Sequence, residues 1–423
     1  MTSGVRDPQA GPASAGPDRA PLPRSRRWLL VPLGIFLASR VADAVMLVVA
    51  ARSEGSAKAY PGNGVVPVLR EPASYFNVVQ NWDGQWFRLI AEHGYPTTLP
   101  MEHGAVIQNQ YAFYPLFPAL VRGLMEVTRL PYGVVASFLN IALASIAMCL
   151  VYRMVSRSAT PFAGAMTVVV LSTFPSAVVF QAAYSEALTF LLVVTALWFL
   201  HARRYEAVLV AGVLLALTRP IVLPLALVVA LHGWVRWRQR AEDDFPTRDR
   251  VRVFGLAAAL AASFAIWPVL AWIRTGTSNA YTDSIGAWTR TLHQPQGYAS
   301  WLTDAFTGHW AVAVTLVAAV VAQWFLLLRS NNRVLWPGEL RWWSLSYFAY
   351  ILVATKPQAS LFRHALIAVV PWWPVADIGA QVRSRREQIF LASLTGAVGL
   401  AAQFLWIRWF FVPGAHFLPT GFP

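Results

Sequence analysis

Residues 81–96 read NWDGQWFRLIAEHGYP, and how this stretch relates to a membrane decides how the chain is built. It is too polar to cross a bilayer. Yet it carries Trp82, Trp86, Phe87 and Tyr95, residues of the kind that settle at membrane–water interfaces. From about Ser74 to His93, the positions Val79, Trp82, Trp86, Leu89, Ile90 and His93 follow helical spacing. The spacing predicts one short amphipathic helix in the headgroup layer, stopped by Gly94, Tyr95 and Pro96. Asp83 is the acid within it, so its carboxylate would lie where a lipid headgroup meets water.

The surrounding chain is that of a polytopic membrane protein. Its 423 residues are 57% hydrophobic and 13% charged, with a mean hydropathy of +0.48, which excludes an ordinary soluble globule. A net charge of +14 raises the question of nucleic acid. The basic residues fall in the gaps between apolar spans and form no patch interleaved with aromatics, so membrane topology accounts for them and no nucleic-acid partner is expected. The single cysteine, Cys149, lies in an apolar span, which excludes an intramolecular disulfide and a cysteine-based metal site.

Residues 1–27 are rich in Pro, Ala, Gly and Arg and are predicted to be a disordered cytoplasmic tail. A retained first span follows at about 28–50, too long for a signal-peptide core. Within it Arg40 and Asp43 stand three residues apart; each would cost roughly 2.5–3.5 kcal/mol in the bilayer centre, which pairing offsets. They serve either structure or the site. Residues 51–130 form a long outward segment. Ten further spans are predicted at about 133–154, 162–181, 184–201, 206–217, 221–235, 253–273, 310–328, 342–355, 364–380 and 389–411, giving an all-α bundle of about eleven helices over 28–411 and an outer tail at 412–423. Several are shorter than the ~20 residues a straight span needs and should extend into their flanks.

Arginine asymmetry sets the orientation. Arg153 and Arg157, Arg203 and Arg204, Arg329 and Arg333, and Arg383, Arg385 and Arg386 fall in connections predicted to be cytoplasmic, as do the basic residues of 236–252. The acids Asp83, Glu92, Glu186, Asp283 and Asp304 then gather on the outer face of what would be the cell membrane. No ATP or sugar nucleotide is available there. A transferred group must arrive on a lipid carrier, and a lipid-linked phosphosugar is the obvious candidate.

Five runs add a resemblance. W-D-G-x-W-F-x-x-I-A-x-x-G-Y at 82–95, A-F-Y-P-L-F-P at 112–118 and F-P-S-A-x-x-F-x-A-x-Y-S-E at 174–186, with L-T-R-P at 217–220 and F-R-H-A-L-I-A-x-x-P at 362–371, resemble the PIG-V-type mannosyltransferases. That family belongs to the GT-C class of polytopic glycosyltransferases, which use polyprenyl-phosphate sugars. The resemblance implies a GT-C-like bundle with first-loop helices on the outer leaflet. It further implies a β-linked phosphomannose donor, an α-mannoside product and an acceptor that is a glycolipid, glycan or protein. Asp83 matches the acid of the family's first-loop motif.

The chemistry agrees with one carboxylate in that place. An inverting glycosyl transfer to a hydroxyl needs a general base near the acceptor, while a phosphate leaves without an acid. No D-x-D pair stands near Asp83, so neither a metal-clamped donor nor a cofactor is expected. Trp82 and Glu92 flank Asp83 as candidate substrate contacts. Glu186, at an outer helix start, either answers the helix dipole or belongs to the site. Arg219, beside Pro220, and Arg363 with His364 are either snorkelling anchors or ligands of the carrier phosphate. The 112–118 run reads as packing that seats the loop, and Trp288 and His293 could meet an acceptor. A transporter or lipid flippase would instead show interrupted helices in two matching halves, and no second half is found. A non-catalytic subunit of an envelope-assembly complex would not need Asp83.

Overall fold

Four helices among the described residues are long and apolar enough to cross a membrane: Trp28–Ser53, Tyr132–Ser158, Thr247–Thr275 and Arg385–Phe411. With 57% of the chain hydrophobic, they make this an integral membrane protein. The computed structural model describes residues 27–53, 57–58, 70–71, 74–242, 244–291, 318, 321, 338–354, 360–368 and 384–412. All but one residue of each predicted tail, 1–27 and 412–423, nearly all of the predicted span at 310–328 and most of that at 364–380 lie outside them.

The helices in order are α1 (Arg27–Ser53), α2 (Tyr75–Val78), α3 (Asp83–His93), α4 (Leu116–Thr128), α5 (Tyr132–Ser158), α6 (Pro161–Thr173), α7 (Glu186–His201), α8 (Tyr205–Ala216), α9 (Val222–Arg238), α10 (Thr247–Ser263), α11 (Ile266–Thr275), α12 (Ala280–Thr291), α13 (Gly338–Ala354), α14 (Ser360–Leu366) and α15 (Arg385–Trp406). Two short antiparallel pairs, Ala57–Lys58 with Arg70–Glu71 and Met101–Glu102 with Ala105–Val106, are the strands among the described residues. One apolar core runs through the bundle, and a second, smaller cluster holds Tyr111, Tyr114, Trp267, Ala271 and Ala280.

Three of the helix breaks lie beside prolines. The predicted span at 162–181 ends early, because Phe174 precedes Pro175 and takes an extended conformation, φ −60° and ψ 147°. The α10–α11 helix breaks four residues before Pro268, which has no N–H to give the Phe264 carbonyl. Pro220 likewise follows the short α8. The α9 helix runs past its predicted end and α13 begins before its predicted start, but α6, α7 and α8 stay between 10 and 17 residues.

The irregular stretch from Phe174 to Ser185 must find partners for its backbone, since a lipid interior supplies none. Arg40 donates to the carbonyls of Ser172 and Ala177, both at 2.6 Å. Asn140 Nδ2 donates to those of Ala182 and Tyr184. Asp43 neutralises Arg40 at 2.7 Å and accepts from Gln403 Nε2 at 3.1 Å. The Arg40–Asp43 pair therefore joins α1, α15 and the break after α6, away from the cavity described below.

The segment from Ser74 to Leu130 docks on this break. The single helix predicted over 74–93 is in fact two, α2 and α3, parted by a turn in which Trp82 takes φ 59°. Gly133 admits α2 onto α5, for an added Cβ would stand 2.3 Å from Gln80 Nε2 and 2.4 Å from the Phe76 carbonyl. The α4 helix buries Phe117, Pro118 and Val121 and exposes Leu120, Leu124 and Val127, a two-faced pattern suited to the interface. On another side Glu339 of α13 meets His201 of α7 at 3.1 Å and His232 of α9 at 3.3 Å.

Replacing Arg40 with Met leaves Asp43 buried without its counter-charge and strands two carbonyls. Loss of one partner of a buried pair costs about 3–5 kcal/mol, so this variant should inactivate at a clearly lower temperature than wild type in detergent. Asp43→Asn, which keeps the carbonyl contacts, should fall between the two.

Candidate functional site

Asp83 is held by its neighbours' backbone. It opens α3 directly after the strained Trp82; a non-glycine residue there costs about 1–3 kcal/mol, which surrounding contacts must offset. The Trp82 indole N–H donates to the Phe411 carbonyl at 2.8 Å, and Asn81 Nδ2 reaches the same oxygen at 3.3 Å. The Tyr184 hydroxyl donates to the Asn81 carbonyl at 3.0 Å, and Ala183 N–H to the Val79 carbonyl at 2.8 Å. Gly84, buried in the first turn of α3, packs against Ala183 and the Val79 carbonyl.

From Asp83 a chain of alternating charges leads inward. Arg363 Nη1 donates to Asp83 Oδ2 at 2.6 Å. The same guanidinium places Nε 2.9 Å from Glu186 Oε1, and Arg219 Nη2 lies 2.9 Å from that same oxygen. The contacts at Glu186 are close charge contacts without linear hydrogen-bond alignment. Arg363 also lies over the Tyr184 ring, 5.1 Å from its centroid, a favourable place for a cation. Two carboxylates and two guanidiniums leave the array formally neutral, as burial requires.

Each member comes from a different element. Glu186 is the first residue of α7, while Arg219 lies in the turn between α8 and α9. The α14 helix carries Arg363 and is fixed by Ser176 Oγ donating to the Phe362 carbonyl at 2.9 Å and by Trp343 donating to that of Ile367 at 2.9 Å. The Leu116 N–H donates to the Leu217 carbonyl at 3.0 Å, seating the start of α4 on the Arg219 turn.

A cavity of about 270 Å³ opens beside the array, with Asp83, Arg219, Arg363 and His364 on its polar wall. Phe87, Phe113 and Tyr114 of the segment between α2 and α4 line it with Tyr281 and Ile285 of α12 and with Tyr347 and Tyr350 of α13. The Tyr114 hydroxyl donates to that of Tyr281 at 3.1 Å, and burial holds the Tyr114 phenol well above its usual pKa. Behind this wall Trp86 stacks on Phe113 at 5.7 Å, and Trp288 meets both edge-on.

The candidates separate accordingly. Asp83, Arg219, Arg363 and His364 reach the cavity. Glu186, wholly buried, stands behind the two arginines. Trp82 is buried in a structural contact with Phe411. Glu92 is on the outside of α3, 2.9 Å from Arg88. Asp283 and Trp288 lie on α12 but do not line the cavity, while His293 and Asp304 fall outside the described residues. The 112–118 run does pack, through Phe117, but Ala112, Phe113 and Tyr114 also wall the cavity. Tyr281, Tyr347 and Tyr350 also line the cavity; their one signal in the sequence is the three-residue spacing that puts the last two on one helix face.

Two guanidiniums on one cavity wall can receive the oxygens of a phosphate, and the partly buried Asp83 carboxylate beside them, its side chain 22% exposed, is of the type that serves as a proton acceptor. Among the described residues no group of three His, Cys, Asp or Glu side chains is placed to hold a metal ion.

No protein-family model matches the sequence, and no curated protein matches it. Solved structures do. ArnT from Cupriavidus metallidurans bound to undecaprenyl phosphate is 14% identical, with a TM-score of 0.50 over 89% of this chain and 65% of that one. The Archaeoglobus fulgidus oligosaccharyltransferase in complex with Zn and sulfate is 12% identical, with a TM-score of 0.42 over 92% of this chain and 53% of that one. The chain thus spans between half and two-thirds of the length of these structures. The ArnT likeness is one of fold and agrees with a GT-C-like bundle; the narrower PIG-V resemblance is carried by the quoted motifs alone.

If Trp82 is a structural anchor, Trp82→Phe loses one hydrogen bond, worth about 0.5–1.5 kcal/mol. A lower melting temperature in detergent is expected. A melting temperature equal to wild type would mean that the indole contact with Phe411 does not anchor the turn.

Proposed function

We propose that the protein transfers a mannosyl or other hexosyl residue from a polyprenyl-phosphate sugar to a hydroxyl of a glycolipid, glycan or protein, in a bundle of about eleven spans with the site on the extracytoplasmic side. The observation that carries the reading is one cavity wall bearing Asp83 together with Arg219 and Arg363, on a fold like that of ArnT bound to undecaprenyl phosphate. The arginine distribution supports the orientation.

In this mechanism Arg219 and Arg363 hold the donor phosphate, with His364 beside them. The acceptor oxygen attacks the anomeric carbon from the face opposite the phosphate. As that bond forms, the bond from the anomeric carbon to the phosphate oxygen breaks, and its electron pair leaves on the polyprenyl phosphate. The acceptor proton passes to Asp83, which acts as general base. The anomeric centre inverts. The phenols of Tyr114, Tyr281, Tyr347 and Tyr350 offer hydroxyls and ring faces of the type that suits a sugar, and the apolar wall excludes water that would hydrolyse the donor.

The experiment is transfer from polyprenyl-phosphate mannose by purified Asp83→Asn. Loss of a general base lowers rates by about 100 to 10,000-fold, and a fall of that order is expected while insertion and folding survive. Transfer near the wild-type rate would reject Asp83 as the base. No transfer by the unmodified protein from any polyprenyl-phosphate sugar would favour a transporter or a non-catalytic subunit.

A further inference from the structure

Glu186 is the one member of the charged array that does not reach the cavity. Its side chain is 0% exposed. A role confined to the start of α7 explains little of its geometry, since neither Ser185 nor Glu186 caps that helix with a side-chain hydrogen bond. What the carboxylate does meet is two guanidiniums converging on one oxygen, Oε1, each at 2.9 Å. Its other oxygen has no hydrogen-bond partner among the described residues.

We propose that Glu186 is a positioning residue that holds Arg219 and Arg363 together as a single phosphate clamp, an inference that rests on the phosphate-binding reading above. Two like charges facing one cavity repel, and only an opposite charge between them keeps both in place. The contact with Arg363 is made through Nε, which turns the guanidinium so that Nη1 points to Asp83 at 2.6 Å. Arg219 is the freer of the two, with its side chain 13% exposed. Without the shared oxygen, Arg363 keeps Asp83 as partner, while Arg219 loses its anchor and turns toward the open cavity. The clamp then splits, and a phosphate would meet one guanidinium at a time.

The experiment is equilibrium binding of a short-chain polyprenyl phosphate, with the matching polyprenol as comparison, to the purified full chain and to its Glu186→Gln, Glu186→Asp and Arg219→Lys variants, counted per folded molecule. Glu186→Gln is nearly isosteric but carries no charge, and is expected to raise the dissociation constant for the phosphate about tenfold or more, leaving that for the polyprenol unchanged. Glu186→Asp keeps the charge at shorter reach and should restore part of the affinity. Unchanged phosphate binding in folded Glu186→Gln, with Arg219→Lys weakened, would make Glu186 a structural residue and leave the phosphate site standing. Tighter binding in Glu186→Gln would make it a competing counter-charge and overturn the inference. Wild type binding the phosphate no better than the polyprenol would overturn both the inference and the phosphate reading. Should Glu186→Gln fail to fold, Glu186→Asp carries the test, and a dissociation constant equal to wild type would count against positioning.

Discussion

Two arginines cannot be kept inside a membrane protein, side by side and facing a cavity, unless carboxylates are brought to them. The cost of a buried unpaired charge is several kcal/mol. Here that cost is offset only when four separate pieces of the chain meet: the start of α3 with Asp83, the start of α7 with Glu186, the turn carrying Arg219, and α14 with Arg363. Much of the architecture serves that meeting.

The bundle achieves it by interrupting helices. Where Pro175, Pro220 and Pro268 break the regular backbone, the freed groups are taken up by side chains from elsewhere, Arg40 and Asn140 above all. The Arg40–Asp43 pair therefore acts one step removed from the site. It braces the irregular stretch after α6, and that stretch in turn receives the Val79 carbonyl and the Asn81 turn beside Asp83. The strain at Trp82 is confined at the same place by the contact with Phe411.

A good part of this was legible in the sequence, because apolar runs and arginine gaps report directly on helices and their ends. The stretch at 81–96 announced itself by joining polarity to interfacial aromatics, and Arg219 and Arg363 by standing beside apolar runs. What the sequence hid was what depends on distant contact. Helical spacing over 74–93 gave no warning of the turn at Trp82, which is imposed by tertiary contacts to Phe411 and Tyr184. Charge alone could not distinguish Glu92, which pairs on the surface with Arg88, from Glu186, which is buried between two arginines. The tyrosines of the cavity wall gather from α12, α13 and the segment before α4, so no local pattern joins them.

The central claim is that the cavity beside Asp83 receives a lipid phosphate on Arg219 and Arg363. A structure of the full chain in lipid nanodiscs with a polyprenyl phosphate bound tests it most directly. The account predicts phosphate density within hydrogen-bonding distance of both guanidiniums, with its lipid chain leaving the cavity toward the bilayer and the Asp83 carboxylate still facing the open space. Phosphate bound elsewhere on the protein, with the Arg219–Glu186–Arg363–Asp83 array undisturbed, would contradict it.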